Sequence, residues 1–416
     1  MAKSKLISAI DIGSSKIATL VAQARDEEDH RLHIIGAATS VSRGIRKGQI
    51  VNIEDAVASI VESVESAERM AGFNVARAWI SLGGAHISSQ GSQGVVAVSQ
   101  AHGEIVEDDV RRVLEAARAV SLPTSSEIIH VIPKSFIVDG QEGVKDPVGM
   151  TGIRLEVETH IVTGSSTSIK NIAKCVSEVG CDVAGMVFSG LASAEAVLSD
   201  TEKELGVILV DIGGGTTDVA IFIEGALAYS AVLPIGAKNV TNDLAIGLRI
   251  SLESAEKIKL HLSHLKDKED DINVTALSLP EELKTVSYKT LVEGIIRPRL
   301  NELFQMIGLE IKKSALAGLT PSGLVITGGG AMTVGIVESA KRTLSMPVRV
   351  GIPQGITGLI DEIENPAFAT SVGLLRYAVS QTSESASGAS WSNPLDKLPV
   401  KGALGKIGDL IKSLLP

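Results

Sequence analysis

Residues 207–223 read VILVDIGGGTTDVAIFI, and the order of chemical types along that stretch decides the fold. Val207, Ile208, Leu209 and Val210 form an apolar, β-branched-rich run, the pattern of a strand buried on both faces. Asp211 ends the run. Gly213, Gly214 and Gly215 carry no Cβ, so their backbone can take positive φ and bring N–H groups up to an anion such as phosphate. Thr216 and Thr217 add hydroxyl donors, and a second apolar strand follows. Taken alone, such a stretch also fits a glycine-rich β-hairpin with capping residues.

The chain holds more than one copy. Residues 6–10 are an apolar run followed by Asp11, Gly13, Ser14, Ser15 and Lys16, which is the same layout. Residues 324–332, LVITGGGAM, bring a third strand into a glycine cluster, Gly328, Gly329 and Gly330, with Met332 just beyond and no carboxylate. Two acidic turns and one neutral turn fit a nucleotide clasped between two halves. The acidic turns would face Mg2+ and phosphates, with Asp11 and Asp211 holding the metal through water, and the neutral one would lie against sugar and base. Lys16 is placed to meet phosphate, although a solvent-exposed strand position is the plainer alternative.

Composition bounds the rest. A length of 416 residues exceeds what one core supports and calls for two or more domains. A 44% apolar and 21% charged chain is a soluble globular one, while 3% aromatics and a net charge of −10 argue against nucleic acid as a partner. Cys175 and Cys181 read as small buried residues of a reducing compartment. Lys3 and Lys5 run straight into residues 6–10 without a long apolar segment, and no apolar run reaches membrane-spanning length, so a cytoplasmic protein is expected.

The three motifs in this order, DIGSSK, DIGGGTTD and ITGGGAM, resemble those of the actin, heat-shock-70 and sugar-kinase superfamily. The resemblance implies an α/β, actin-like (ribonuclease H-like) two-domain fold that closes on ATP and Mg2+. On that plan the first domain takes residues 1–81 and 164–193. An inserted α+β subdomain without a phosphate loop takes 82–163; its scattered histidines, His86, His102, His130 and His160, read as surface or hydrogen-bonded residues. The second domain takes 194–237 and 301–364, a small subdomain 238–300, and a return element 365–379. Helices are expected over 53–70, 107–120, 169–179 and 288–311, and a short strand over 95–98.

Two details refine the site. Glu256 and Lys259 share a helix face at i, i+3, with Ser263 one turn later; they resemble the superfamily helix that hydrogen-bonds ribose and adenine, a solvent ion pair being the alternative. The stretch 188–198, FSGLASAEAVL, resembles the superfamily's crossing element, yet has Ser189 and Gly190 where hydrolytic relatives carry a water-orienting Glu or Gln, and Glu195 lies too far along to replace it. ATP binding with at most slow hydrolysis is therefore expected.

Residues 380–400 read as a flexible linker. Over 401–416, Leu404, Ile407, Leu410, Ile411, Leu414 and Leu415 fall on one helical stripe flanked by Lys406 and Lys412. Such a basic amphipathic helix lies in an anionic membrane interface without spanning it; docking back on its own domain is the alternative. With this tail the whole chain resembles the FtsA family of bacterial cell-division proteins. The resemblance implies self-association into protofilaments, attachment to the cytoplasmic face of the cell membrane at the division site, and binding of the FtsZ C-terminal peptide by residues 238–300. It also implies contact of the inserted subdomain with later division proteins. Alternatives are a superfamily ATPase or small-molecule kinase, or an actin-like component of another envelope machine such as pilus assembly.

Overall fold

A computed structural model describes residues 5–24, 31–100, 102–265, 271–281, 283–359 and 362–386. The tail helix expected over 401–416, and the linker beyond residue 386, lie outside the described residues.

The chain folds the same plan twice. In the first half, Lys5–Ile12 pairs antiparallel with Lys16–Ala24 and parallel with Arg77–Leu82; Leu32–Val41, Asp182–Phe188 and Ile356–Gly358 complete six strands. In the second half, Val207–Ile212 pairs antiparallel with Thr217–Ile223 and parallel with Leu324–Thr327, and Ala226–Leu233 and Val348–Val350 complete five. Each glycine turn therefore leaves its sheet at the same place, the end of a central strand. All six residues of Val207–Ile212 are buried, and they divide by parity. Val207 and Leu209 join the core beneath the linking helices, whereas Ile208, Val210 and Ile212 join the core of the second half.

Two helices tie the halves together. Ser189–Val197 follows the edge strand Asp182–Phe188 of the first sheet, and Ala369–Ala386 returns from the second half. Gly373 sits so close to the first of these helices that an added Cβ would run into the carbonyl of Ala192. The return helix also extends through Ala386, into the stretch read from composition as linker, because once a helix is nucleated each further Ser, Gln, Glu or Ala costs little.

The inserted sheet, in spatial order Ser88–Ala97, Arg154–Ser165, Ser126–Val138 and Gln141–Val144, packs Val110 and Val113 of the helix Glu107–Arg118 over Ile105, Phe136, Leu155 and Val157. Its first strand corrects the short one expected over 95–98. Residues 88–94 pair in unbroken register with Arg154–Ser165, and Gly94 is where that helix crosses: a Cβ there would meet the backbone of Val113 and Ala117. The insertion also touches the second half, through Ser89 Oγ donating to the Ser230 carbonyl (2.6 Å) and His160 Nε2 against Ser230 Oγ (2.9 Å). The helix expected over 288–311 likewise differs. It opens as a wider π-helical stretch, Lys289–Ile296, and becomes α-helical only at Arg297–Ser314, where Pro298 has no N–H to continue the tighter pattern backwards.

In an exposed helix, Gly→Ala stabilises by about 1 kcal/mol. At residue 373 the overlap with Ala192 should dominate, so Gly373→Ala is expected to lower stability by about 1–3 kcal/mol, read as a lower urea midpoint.

Candidate functional site

Both acidic turns close with the same hydrogen bond, Gly13 N to the Lys16 carbonyl (3.1 Å) and Gly213 N to the Thr216 carbonyl (2.9 Å). They face one another across the two halves. A Cβ on Gly214 would run into Ser15 Oγ, one on Gly215 would lie 3.0 Å from Ser14 Oγ, and Lys238 Nζ donates to the Ser14 carbonyl at 2.6 Å. The third loop closes on the second: a Cβ on Gly328 would run into Asp211 Oδ1, and one on Gly330 would overlap Ile212. Three strand ends widely separated in sequence thus meet in one place.

Carboxylates crowd that place. Asp11 Oδ1 accepts from Ser81 Oγ at 2.8 Å. Asp211, 6% exposed, accepts from Thr370 Oγ1 at 3.1 Å and from Ser193 Oγ. Asp218, 5% exposed, stands directly opposite Asp211 in the hairpin register, and its Oδ1 has no hydrogen-bond partner. Burial pushes all three up: Asp11 above the usual carboxylate range, Asp211 to about 6, with Asp11 adding to it, and Asp218 well above, with Asp211 and Asp11 adding. Lys16 is the cation among them. Burial lowers its ammonium to about 8 against the pull of Asp11 and Asp211, and its Nζ lies 3.6 Å from the centroid of the Phe368 ring. Among the described residues no three of His, Cys, Asp or Glu are arranged to hold a metal ion by themselves, so a divalent cation beside these carboxylates would need further ligands from water or a nucleotide.

Sequence reasoning passes over Asp218, whose signal is parity. The turn closes between residues 213 and 216, so positions 211 and 218 fall on the same face of adjacent strands. Parity also corrects Thr217. It is already in the strand and faces the other way, fully buried, its hydroxyl donating to the Ile235 carbonyl at 2.8 Å, so it offers nothing to a phosphate. Thr216 stays in the turn.

Lys259 is 7% exposed and donates to Glu256 Oε2 (2.7 Å) and Thr241 Oγ1 (2.9 Å), while Thr241 donates to Glu256 at 2.5 Å, so the pair is built into the subdomain. Both charges act on Lys238, whose ammonium burial lowers first, Glu256 raising it and Lys259 lowering it further; the pair therefore neighbours the first turn's partner. Ser263 spends its hydroxyl on the Lys259 carbonyl, 3.1 Å away. Beside the third loop lies a cavity of about 10 Å³, room for one water, whose walls include Ile212, Gly236, Arg299, Gly330 and Thr333. A nucleoside can enter there only if the walls part. Arg299 and Thr333 escape sequence reasoning, and Met332 is half-buried at the end of the turn Gly329–Met332, outside that lining. Glu195 is held by Lys203 at 2.7 Å, and Gly190 packs against Phe188, with a Cβ there 3.3 Å from Asp218 Cβ.

Two family models match, "SHS2 domain inserted in FTSA" over residues 84–163 and "Cell division protein FtsA" over 208–373. The cell-division protein FtsA of Pseudomonas aeruginosa is 41% identical over 406 residues, 95% of each chain, and that of Bacillus subtilis 39% identical over 381 residues, 91% of this chain and 84% of its own. The chain belongs to the FtsA family of cell-division proteins. Its fold is actin-like. The solved PilM–PilN type IV pilus biogenesis complex includes a chain that superposes with TM-score 0.64 at 15% identity, covering 90% of this chain and 98% of that one. MreB5 of Spiroplasma citri, bound to AMPPNP, superposes with TM-score 0.54 at 13% identity, covering 92% and 99%. Among the described residues, no helix is long and apolar enough to cross a membrane.

A carboxyl whose folded pKa is raised holds its proton longer when folded, so the stability it contributes is present in acid and lost as pH rises from the unfolded value to about 6 for Asp211. For Lys16 the loss runs the other way, as pH falls from 10.5 to about 8. Between these limits both costs stand. Asp211→Asn should therefore raise the ligand-free melting temperature at pH 7 by roughly 2–5 °C and flatten its decline between pH 4 and 6, measured by calorimetry.

Proposed function

We propose that this FtsA-family chain binds Mg2+·ATP between its halves, self-associates into protofilaments on the cytoplasmic face of the membrane at the division site, and tethers FtsZ there. The observation that carries the nucleotide reading is the meeting of the two acidic turns and the third loop around Asp11, Asp211 and Asp218. Asp11 and Asp211 would hold the cation through water, with Asp218 beside them. Gly13 and Gly213 close the turns with their own N–H groups, and the N–H groups of Gly214 and Gly215, the hydroxyls of Ser14, Ser15 and Thr216, and the ammonium groups of Lys16 and Lys238 would take the phosphates. Gly328, Gly329, Gly330, Glu256 and Lys259 would border the nucleoside. The cation supplies charge that neutralises both phosphates and carboxylates, which is what this buried acidic group lacks.

Ser189 and Gly190 offer no carboxylate or side-chain amide to orient an attacking water, and Glu195 is tied to Lys203, which supports slow turnover. The free oxygen of Asp218 favours a second reading, an ATPase with real turnover. Asp218→Asn is expected to cut residual ATP hydrolysis at least about tenfold while leaving Mg2+·ATP affinity within about threefold, by phosphate release and calorimetric titration. A wild-type rate well above about one per minute would favour the second reading.

One short amphipathic helix binds lipid weakly, but several on one filament raise avidity by orders of magnitude without new contacts. Assembly would thus switch attachment on. Residues 238–300 would receive the FtsZ C-terminal peptide, and the insertion at 82–163 later division proteins. Removing residues 402–416 should abolish co-sedimentation with anionic vesicles in Mg2+·ATP, and the intact chain should carry FtsZ into the pellet; unchanged pelleting of the shortened chain rules out the tether.

A further inference from the structure

The segment that opens the return helix touches all three loops. Lys16 Nζ rests 3.6 Å from the Phe368 ring centroid. Two residues on, Thr370 Oγ1 donates to Asp211 Oδ2 at 3.1 Å. Two residues back, the Pro366 carbonyl accepts from Gly328 N at 3.1 Å and from Thr327 Oγ1 at 3.4 Å. Asn365 fixes the start, its Oδ1 accepting from Ala367 N at 2.9 Å. One short stretch of chain therefore bears on a cation of the first half, a carboxylate of the second, and the backbone of the third loop.

Lys16 needs such support. Its ammonium is largely out of water and is attracted by Asp11 and Asp211, one from each half. If it closed onto either carboxylate, a phosphate would have to break that pair before using the cation. The negative face of an aromatic ring holds an ammonium without neutralising it and without a strong directional bond. An aliphatic side chain of similar volume fills the space but supplies no such attraction.

We propose that Phe368 is a positioning residue, its ring holding the Lys16 ammonium clear of Asp11 and Asp211 so that it is available to a nucleotide phosphate. The proposal rests on the nucleotide reading above and adds a residue that acts through Lys16. It separates Phe368 from a plain packing residue, because the ring and not its volume is what counts.

The test uses the full chain with 13C-labelled lysine, Lys16 being identified by the signal lost in Lys16→Arg. Without nucleotide, the Lys16 Hε protons of the wild type should lie upfield from the ring current. They should return to the ordinary lysine position in Phe368→Leu and stay upfield in Phe368→Trp. Calorimetric titration with Mg2+·ATP should show Phe368→Leu binding about tenfold more weakly and Phe368→Trp within about twofold of wild type, with melting temperatures of all three alike. Wild-type binding with unchanged affinity in Phe368→Leu, or equal losses in Leu and Trp, overturns the role of Phe368 and leaves the nucleotide reading intact. Absence of Mg2+·ATP binding in the wild type sinks the nucleotide reading, and the role given to Phe368 goes with it.

Discussion

Gathering buried Asp211 and Asp218 with half-buried Asp11 and one half-buried ammonium, Lys16, is unfavourable in a chain that could leave them in water, and the architecture around them makes sense as its support. Each carboxylate stands at or beside the end of a central strand, where the sheet stops and a glycine turn begins. Ser81, Ser193 and Thr370 point hydroxyls at two of them, and each comes from a different element: a first-half strand end, the first linking helix and the return helix. The third keeps an oxygen without a partner. Such a group is tolerated where a ligand completes it, and strain of this kind concentrates at functional sites.

The linking helices serve the same end. They pass through the core that also takes Val207, Leu209, Ala220 and Phe222 from the second sheet, so the face of that sheet bearing Asp211 and Asp218 is the face turned to the crossing. Close approach at Gly373 and Ala192 keeps the crossing tight. The insertion, rooted in the first half, reaches the second through Ser230, which gives the halves a further contact away from the turns.

Much of this was legible in the primary sequence. Apolar runs of four or five residues ending in Asp and glycines mark strands buried on both faces, and the repetition of DIGSSK and DIGGGTTD marks a duplicated plan. Those signals are local, set by backbone freedom at glycine and by side-chain period, so they survive without a fold. Errors arose where period was overridden by pairing: the strand Ser88–Ala97 keeps its register through Gly91 and Gly94 because a neighbouring strand and a crossing helix hold it, and Thr217 turns inward because the strand begins one residue sooner than the turn chemistry implies.

Sequence by itself determined which residue types cluster at which strand ends, because carboxylates and glycines at a strand terminus have few other uses and their spacing needs no partner to be read. Only the tertiary structure decided that Asp218 faces Asp211, that Phe368 and Thr370 reach Lys16 and Asp211, and that Arg299 walls the cavity beside the third loop. These pairs are joined by register or by packing across up to 352 positions of chain from Lys16 to Phe368 (368 − 16), distances over which side-chain period carries no information.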